Sequence, residues 1–466
     1  MKKLNPMVLA LALAFPVAAQ AQSNAELKKE IDLLKAQIAE MKQMMMAKPA
    51  AAPIAAPVAA VDPAEFNRMR VKFEALEDAH EESGFKGMKV SGFMDPVYIY
   101  NQANGRGSAQ FMNSLDGSIN DPSTDIYSYT TSNLGGATIK FEKDFGEGTM
   151  VVALRPRKDI SGGDMFETAM LNVPLGNGLT LMAGKTPSFN GYELADAPVN
   201  KLITHNLLFD FGGPAYVTGA GLKFDLGGFA FQTMLGNLNS HHNLPGDKNA
   251  GFHWRGDYEL SEFDGWAING MHGKIYGTSY NYWDLDYWFT KGDLTMNAQI
   301  ETSSHKGQAF NGGDSSHLGL SGLVAYKFTP QWEGVFRADW YDNHKNGGFG
   351  PAFFWGADDG MQGPGVGCPD DGTGMAFAAS CGDYRNGFGP GVVFNDTTGL
   401  WELGDMNRGA KRTALSFGLN YTLSENTLIK FEFRHDRSDL NSFYQMSDGS
   451  YKKTNNTLGV QTVVKF

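Results

Sequence analysis

The chain has 466 residues and a formal charge of −12, from 39 Lys and Arg against 51 Asp and Glu. That acidity leaves no basic footprint for nucleic acid. Glycine is frequent at 57 residues and mean hydropathy is negative. Beyond the N-terminus no stretch is long and apolar enough for a spanning helix, so a helical membrane anchor is excluded.

In chain order, Lys2 and Lys3 precede an apolar run over residues 7–19 and the small-x-small site Ala19-Gln20-Ala21. This predicts a signal peptide over 1–21, export, and cleavage before Gln22, which excludes a cytoplasmic enzyme. Residues 22–46 place Leu27, Ile31, Leu34, Ile38, Met41 and Met45 at alternating steps of four and three, the seam of a coiled-coil helix. Ser23 and Glu26 have capping-box spacing at its start. Ile at a with Leu at d nominally favours dimers, so the seam leaves the oligomeric state open. Residues 47–63 are an Ala/Pro-rich, semi-rigid linker with Pro49, Pro53 and Pro57. Asp62-Pro63 then caps a short amphipathic helix over 64–85 carrying Phe66, Met69, Phe73 and Leu76.

From residue 86 to the C-terminus the apolar period changes to two. Leu415, Phe417, Leu419, Tyr421 and Leu423 alternate with small or polar residues, and Ile429, Phe431 and Phe433 alternate with Lys430, Glu432 and Arg434. Such ten-residue dyad segments are the signature of transmembrane barrel strands. Tight links at 146–148, 176–178, 227–228, 264–265, 291–293, 329–331 and 424–426 alternate with longer segments, notably 187–213, 239–250 and 343–408. The predicted fold is therefore all-β, an antiparallel transmembrane barrel of about sixteen strands, with both ends on the periplasmic side. A soluble sandwich also alternates, but Trp332 and Trp340 are spaced to meet both rims of an outward apolar band.

The last strand places Leu458, Val460, Thr462, Val464 and Phe466 on one face. It resembles the assembly signal of outer-membrane barrels, which implies recognition of Phe466 by the assembly machinery and a lipid-embedded chain. The architecture resembles trimeric porins with an N-terminal periplasmic coiled coil. The stretch from Asn200 through Leu202, Ile203, Thr204, His205 and Asn206 to Phe209, followed by Pro214 and Gly219, looks like the loop-to-strand passage of a β-barrel porin family. The resemblance implies a homotrimeric passive channel for small polar solutes, without enzyme activity, metal or cofactor. It names no solute.

Alternation makes Lys140, Arg155, Arg157, Asp284, Asp286, Glu301, Arg337 and Arg434 candidate pore-lining residues. Two readings stay open. The positive residues on strands two and three lie opposite Asp284, Asp286 and Glu301 on strands ten and eleven, giving a transverse field. Alternatively, each charge is neutralised locally, because Glu142, Asp257, Asp339 and Glu432 neighbour Lys140, Arg255, Arg337 and Arg434. The third external loop, 187–213, is unusually apolar for a solvated segment. It is expected to fold into the lumen, with Glu193 and Asp196 as candidate constriction carboxylates; packing at a subunit interface is the rival. Cys368 and Cys381 sit in one loop, and a disulfide between them would stabilise it by about 3 kcal/mol. Two other functions are weighed: a structural or adhesive barrel binding a partner through loop 343–408, and an outer-membrane hydrolase using Ser304-His305 or Ser316-His317. The hydrolase lacks a nucleophile-elbow motif.

Overall fold

The structure is a computed structural model that describes residues 68, 71–72, 87–103, 105–111, 134–155, 165–214, 216–239, 249–275, 277–309, 311–348, 390–445 and 447–466. The chain forms two compact units, Met1–Ala79 and His80–Phe466. In the first, Arg68, Val71 and Lys72 are helical and exposed. The signal peptide, the coiled-coil seam, Arg157, Cys368 and Cys381 fall outside the described residues.

The second unit is a closed antiparallel barrel. Its strands are β1 (Met88–Met94), β2 (Val97–Asn101), β3 (Arg106–Gln110), β4 (Ala137–Asp144), β5 (Thr149–Leu154), β6 (Phe166–Gly176), β7 (Leu179–Pro187), β8 (Tyr216–Asp225), β9 (Phe229–Asn239), β10 (Ala250–Glu259) and β11 (Asp264–Ile275). They continue as β12 (Thr278–Lys291), β13 (Leu294–His305), β14 (Ser315–Lys327), β15 (Trp332–Asp342), β18 (Lys411–Ser424), β19 (Thr427–Ser438) and β22 (Thr454–Lys465). Two small hairpins, β16 (Val392–Asn395) with β17 (Leu400–Leu403) and β20 (Phe443–Tyr444) with β21 (Tyr451–Lys452), stand apart from the barrel sheet. The helix α1 (Leu207–Phe211) lies between β7 and β8.

These eighteen barrel segments make sixteen staves, because two staves are interrupted. Stave 1 is β1 and β2, separated at Asp95-Pro96; stave 2 is β3 and β4, which pair with β2 and β1 respectively. Staves 3–13 are β5 to β15, and staves 14–16 are β18, β19 and β22. The carboxylate of Asp95 accepts from the backbone N–H groups of Gly135 (3.2 Å) and Gly136 (2.9 Å) and from Gln461 Nε2 (2.9 Å). It therefore ties the break in stave 1 to both neighbouring staves. β22 pairs with both β1 and β2, and this closes the barrel.

Alternation fixes what each face meets, since successive side chains point to opposite sides. Trp266, Ile268, Trp283, Leu285, Phe336, Phe417, Phe431 and Phe433 are exposed on the outside. An exposed apolar band around a closed barrel is the surface of a membrane-spanning one. The inward partners on the same strands are polar or charged and buried, as with Asn269, Asp284, Asp286, Arg337, Ser416 and Arg434.

The tight turn at Asn177-Gly178 has φ of 52° and 76°, the doubly positive geometry of a type I′ hairpin turn. One predicted turn is displaced. Asp264 and Gly265 already belong to β11, and the chain reverses over 260–263, where Leu260 and Ser261 N–H groups donate to Asp264 O. The Asp-Gly pair misled because Ser261 and Asp264 complete the turn through their side chains.

Candidate functional site: the barrel interior and its inward loop

After β7, residues 188–214 leave the wall and run through the barrel interior before the chain rejoins it at β8. Apolar content drives this course, because Leu202, Ile203, Leu207, Leu208 and Phe211 are all at most 4% exposed. Their seats are inward glycines. A Cβ on Gly319 would lie 2.8 Å from Leu208 Cγ, on Gly418 2.5 Å from Leu202 Cδ2, and on Gly459 3.0 Å from Ile203 Cδ1. Three alternate staves thus give up their side chains so that three loop side chains can approach the wall. Asn206 starts α1, its side chain accepting from Phe209 N at 2.6 Å.

Charged wall residues satisfy the loop's backbone. Lys430 Nζ donates to the carbonyls of Ala197 (2.7 Å), Asn200 (2.7 Å) and Leu202 (3.3 Å). The neighbouring Glu432 accepts from Ile203 N (2.7 Å), Thr204 N (2.8 Å) and Thr204 Oγ1 (2.6 Å). Arg337 donates to Glu193 (2.8 Å), Thr204 O (2.7 Å) and His205 O (2.9 Å), and Arg434 donates to His205 O (2.7 Å). At the end of β5 Arg155 pairs with Asp196 of the loop and with Glu167 (3.1 Å), and donates to Thr138 (2.8 Å). Buried charges persist only where such bonds replace water. Burial pushes the Glu193 carboxyl up to about 7 despite the adjacent Arg337. It also pushes His205 down to about 3, so that imidazole is neutral near pH 7.

The structure brings most sequence candidates together. Arg155, Arg337, Glu193 and Asp196 all meet at the loop. Asp286 pairs with Arg255 (2.7 Å), and Asp284 accepts from Asn269 (2.6 Å), Gln299 (2.6 Å) and Gly191 N (3.4 Å) of the loop. Glu301 accepts from the Tyr282 hydroxyl at 2.7 Å. Lys140 pairs with Glu142 (2.9 Å), and its side chain is 41% exposed. Lys140–Glu142, Arg255–Asp257 and Arg337–Asp339 are pairs within one strand, whereas Arg155 and Arg337 also pair with the loop and Arg255 with Asp286 of β12. The neighbour of Arg434 differs from the expected one: its guanidinium pairs with Asp436 at 2.9 Å, while Glu432 turns to the loop. Both alternatives share the inward face of β19, and the loop's N–H groups compete successfully for Glu432.

Ser304-His305 and Ser316-His317 do not pair within themselves, because adjacent residues on a strand face opposite sides. Instead Ser303 Oγ lies 2.9 Å from His317 Nδ1, and His317 Nε2 lies 3.2 Å from Glu301. All three are buried, and a Cβ on loop residue Gly212 would lie 1.9 Å from Glu301 Oε1.

Sequence reasoning passed over Lys430, Glu432, Arg255 and Arg412 as site residues. The first two share a polar strand face with Arg434, so alternation was a sufficient signal for their direction. Arg412 pairs with Asp436 (2.7 Å) and lies between the Phe211 and Phe443 rings, at 5.6 and 5.1 Å. No sequence signal announces that contact.

The family model described as "Protein of unknown function (DUF3138)" matches residues 63–251 and 264–466. The chain belongs to that family. The match includes both the interior loop and the β19 residues that hold it. Comparison with curated proteins finds no match. Among solved structures the chain is similar to outer-membrane expressed OmpT of Vibrio cholerae, with 9% identity, a TM-score of 0.47, and 81% of this chain and 97% of that one covered. It is also similar to the anion-selective porin from Comamonas acidovorans, with 10% identity, a TM-score of 0.45, and 81% and 99% covered. For the outer membrane channel DcaP of Acinetobacter baumannii the values are 14%, 0.44, and 81% and 97%.

Proposed function

We propose that this DUF3138 chain is an outer-membrane channel for passive diffusion of small polar solutes. The observation that carries the reading is the third external loop, folded into the barrel and pinned there by Arg155, Arg337, Lys430, Glu432 and Arg434. A loop held across the interior by charged wall residues narrows the lumen and makes those charges, with Glu193 and Asp196, its constriction. Lys140 and Glu142 line the interior beside it.

The reading includes export through the signal peptide, a homotrimer, and an N-terminal segment in the periplasm carrying the coiled coil. It also includes insertion by the outer-membrane assembly machinery through the terminal Phe466. A catalytic role for the Ser303, His317 and Glu301 constellation is not part of the proposal, because α1 and its C-terminal flank pack over it. Planar-bilayer recording tests the reading. Purified protein should produce discrete, ohmic conductance steps in potassium chloride. A folded, membrane-inserted protein that never conducts would refute it.

A further inference from the structure

The inward loop has two parts of different chemistry. Residues 193–206 carry the polar anchors, whereas α1 delivers Leu207, Leu208 and Phe211 into an apolar cluster inside the barrel. The same cluster contains Met170, Met182, Val217, Met234, Met271 and Tyr341, all at most 7% exposed. These six come from β6, β7, β8, β9, β11 and β15, which are staves 4, 5, 6, 7, 9 and 13. The cluster therefore draws on staves from both sides of the barrel and includes the helix.

A water-filled barrel has a polar interior. Large, buried apolar side chains facing inward from so many staves are the wall of a packed core. Ions crossing at this level would shed hydration against a mainly apolar surface. We infer that α1 is an apolar stopper that closes the barrel interior in this conformation, and that passage requires its withdrawal from the methionine-lined wall. Four of the six wall residues named are methionines, or valine and tyrosine otherwise, and methionine is unbranched and repacks readily. The anchors on 193–206 hold the rest of the loop while α1 moves. This inference rests on the channel reading for its functional meaning, but the two fail differently.

The test is a disulfide lock. A Cβ at Gly319 lies 2.8 Å from Leu208 Cγ, close enough for the pair Leu208→Cys with Gly319→Cys to bridge. The variant is recorded in planar bilayers in potassium chloride, reduced and oxidised, with the 208–319 link verified by mass spectrometry. The wild-type chain passes through the same redox cycle as control for Cys368 and Cys381. Conductance when reduced and its loss when oxidised, with wild type unaffected, is the expected result. Equal conductance in both states overturns the stopper and leaves the channel reading standing. If neither state conducts, a folded variant with Leu207, Leu208 and Phe211 all replaced by Ser decides. Conduction by that variant supports the stopper while refuting a channel that opens unaided; silence overturns the stopper as well.

Discussion

Glu432 offers the sharpest test of how the loop is held. Its carboxylate takes three hydrogen bonds of 2.6–2.8 Å from Ile203 N, Thr204 N and Thr204 Oγ1, in a site where the residue is 3% exposed. Glu432→Leu removes the acceptor and leaves all three donors buried. Each unmet donor costs about 1–3 kcal/mol, so entry of water that relieves part of this still leaves a loosening of about 3 kcal/mol. That is on the order of a hundredfold more of the detached loop.

The barrel itself should persist, because Glu432 remains paired through its backbone with Gly418 and Gly459. Hydrogen exchange read at the amides of Ile203 and Thr204 reports the effect directly. Both should exchange about a hundredfold faster in Glu432→Leu, with Glu432→Gln intermediate because it keeps one acceptor oxygen. Unchanged exchange at both amides in folded Glu432→Leu would show that packing in the glycine seats holds this segment alone.

Other expectations follow from the same geometry. Arg155→Gln leaves Asp196, whose side chain is 50% exposed, without its cation; the reversal potential should shift toward cations, and the shift should fade near 1 M salt, where the Debye length is about 3 Å. Deleting Phe466 removes its mutual backbone bonds with Gly92, 3.0 and 3.1 Å, at the seam where the barrel closes; loss of heat-modifiable, membrane-inserted protein is expected, and normal insertion would contradict it. Glu193, raised from 4.5 to about 7, favours its protonated form in the fold, so its contribution is complete below pH 4.5 and is lost as pH rises through about 7. Loop exchange protection should accordingly fall from pH 5 to pH 8, and Glu193→Gln should flatten that dependence. Non-reducing proteolysis should recover Cys368 linked to Cys381, and free thiols there would remove the proposed loop bridge.

Much of the barrel was legible because strand alternation is a local property. Trp266, Trp283 and Phe417 face outward and Asp284, Arg337 and Arg434 inward for the reason that successive strand residues point to opposite sides. The apolar content of 187–213 likewise marked a loop that could not remain solvated. Pairing was less legible. Arg255 reaches Asp286 two staves away, and that choice depends on barrel curvature and stagger, which no local pattern encodes.

The sequence by itself determined the period, the faces and the need to bury one loop, since these follow from residues within one strand or segment. Only the tertiary structure decided where that loop goes. Its hydrogen bonds join residues separated by up to 233 positions, as between Ala197 and Lys430, and they exist only once the barrel has closed. Closure sets Gly319, Gly418 and Gly459 opposite Leu208, Leu202 and Ile203. It also turns a polar strand face into a ring of donors and acceptors for backbone that would otherwise be buried without partners.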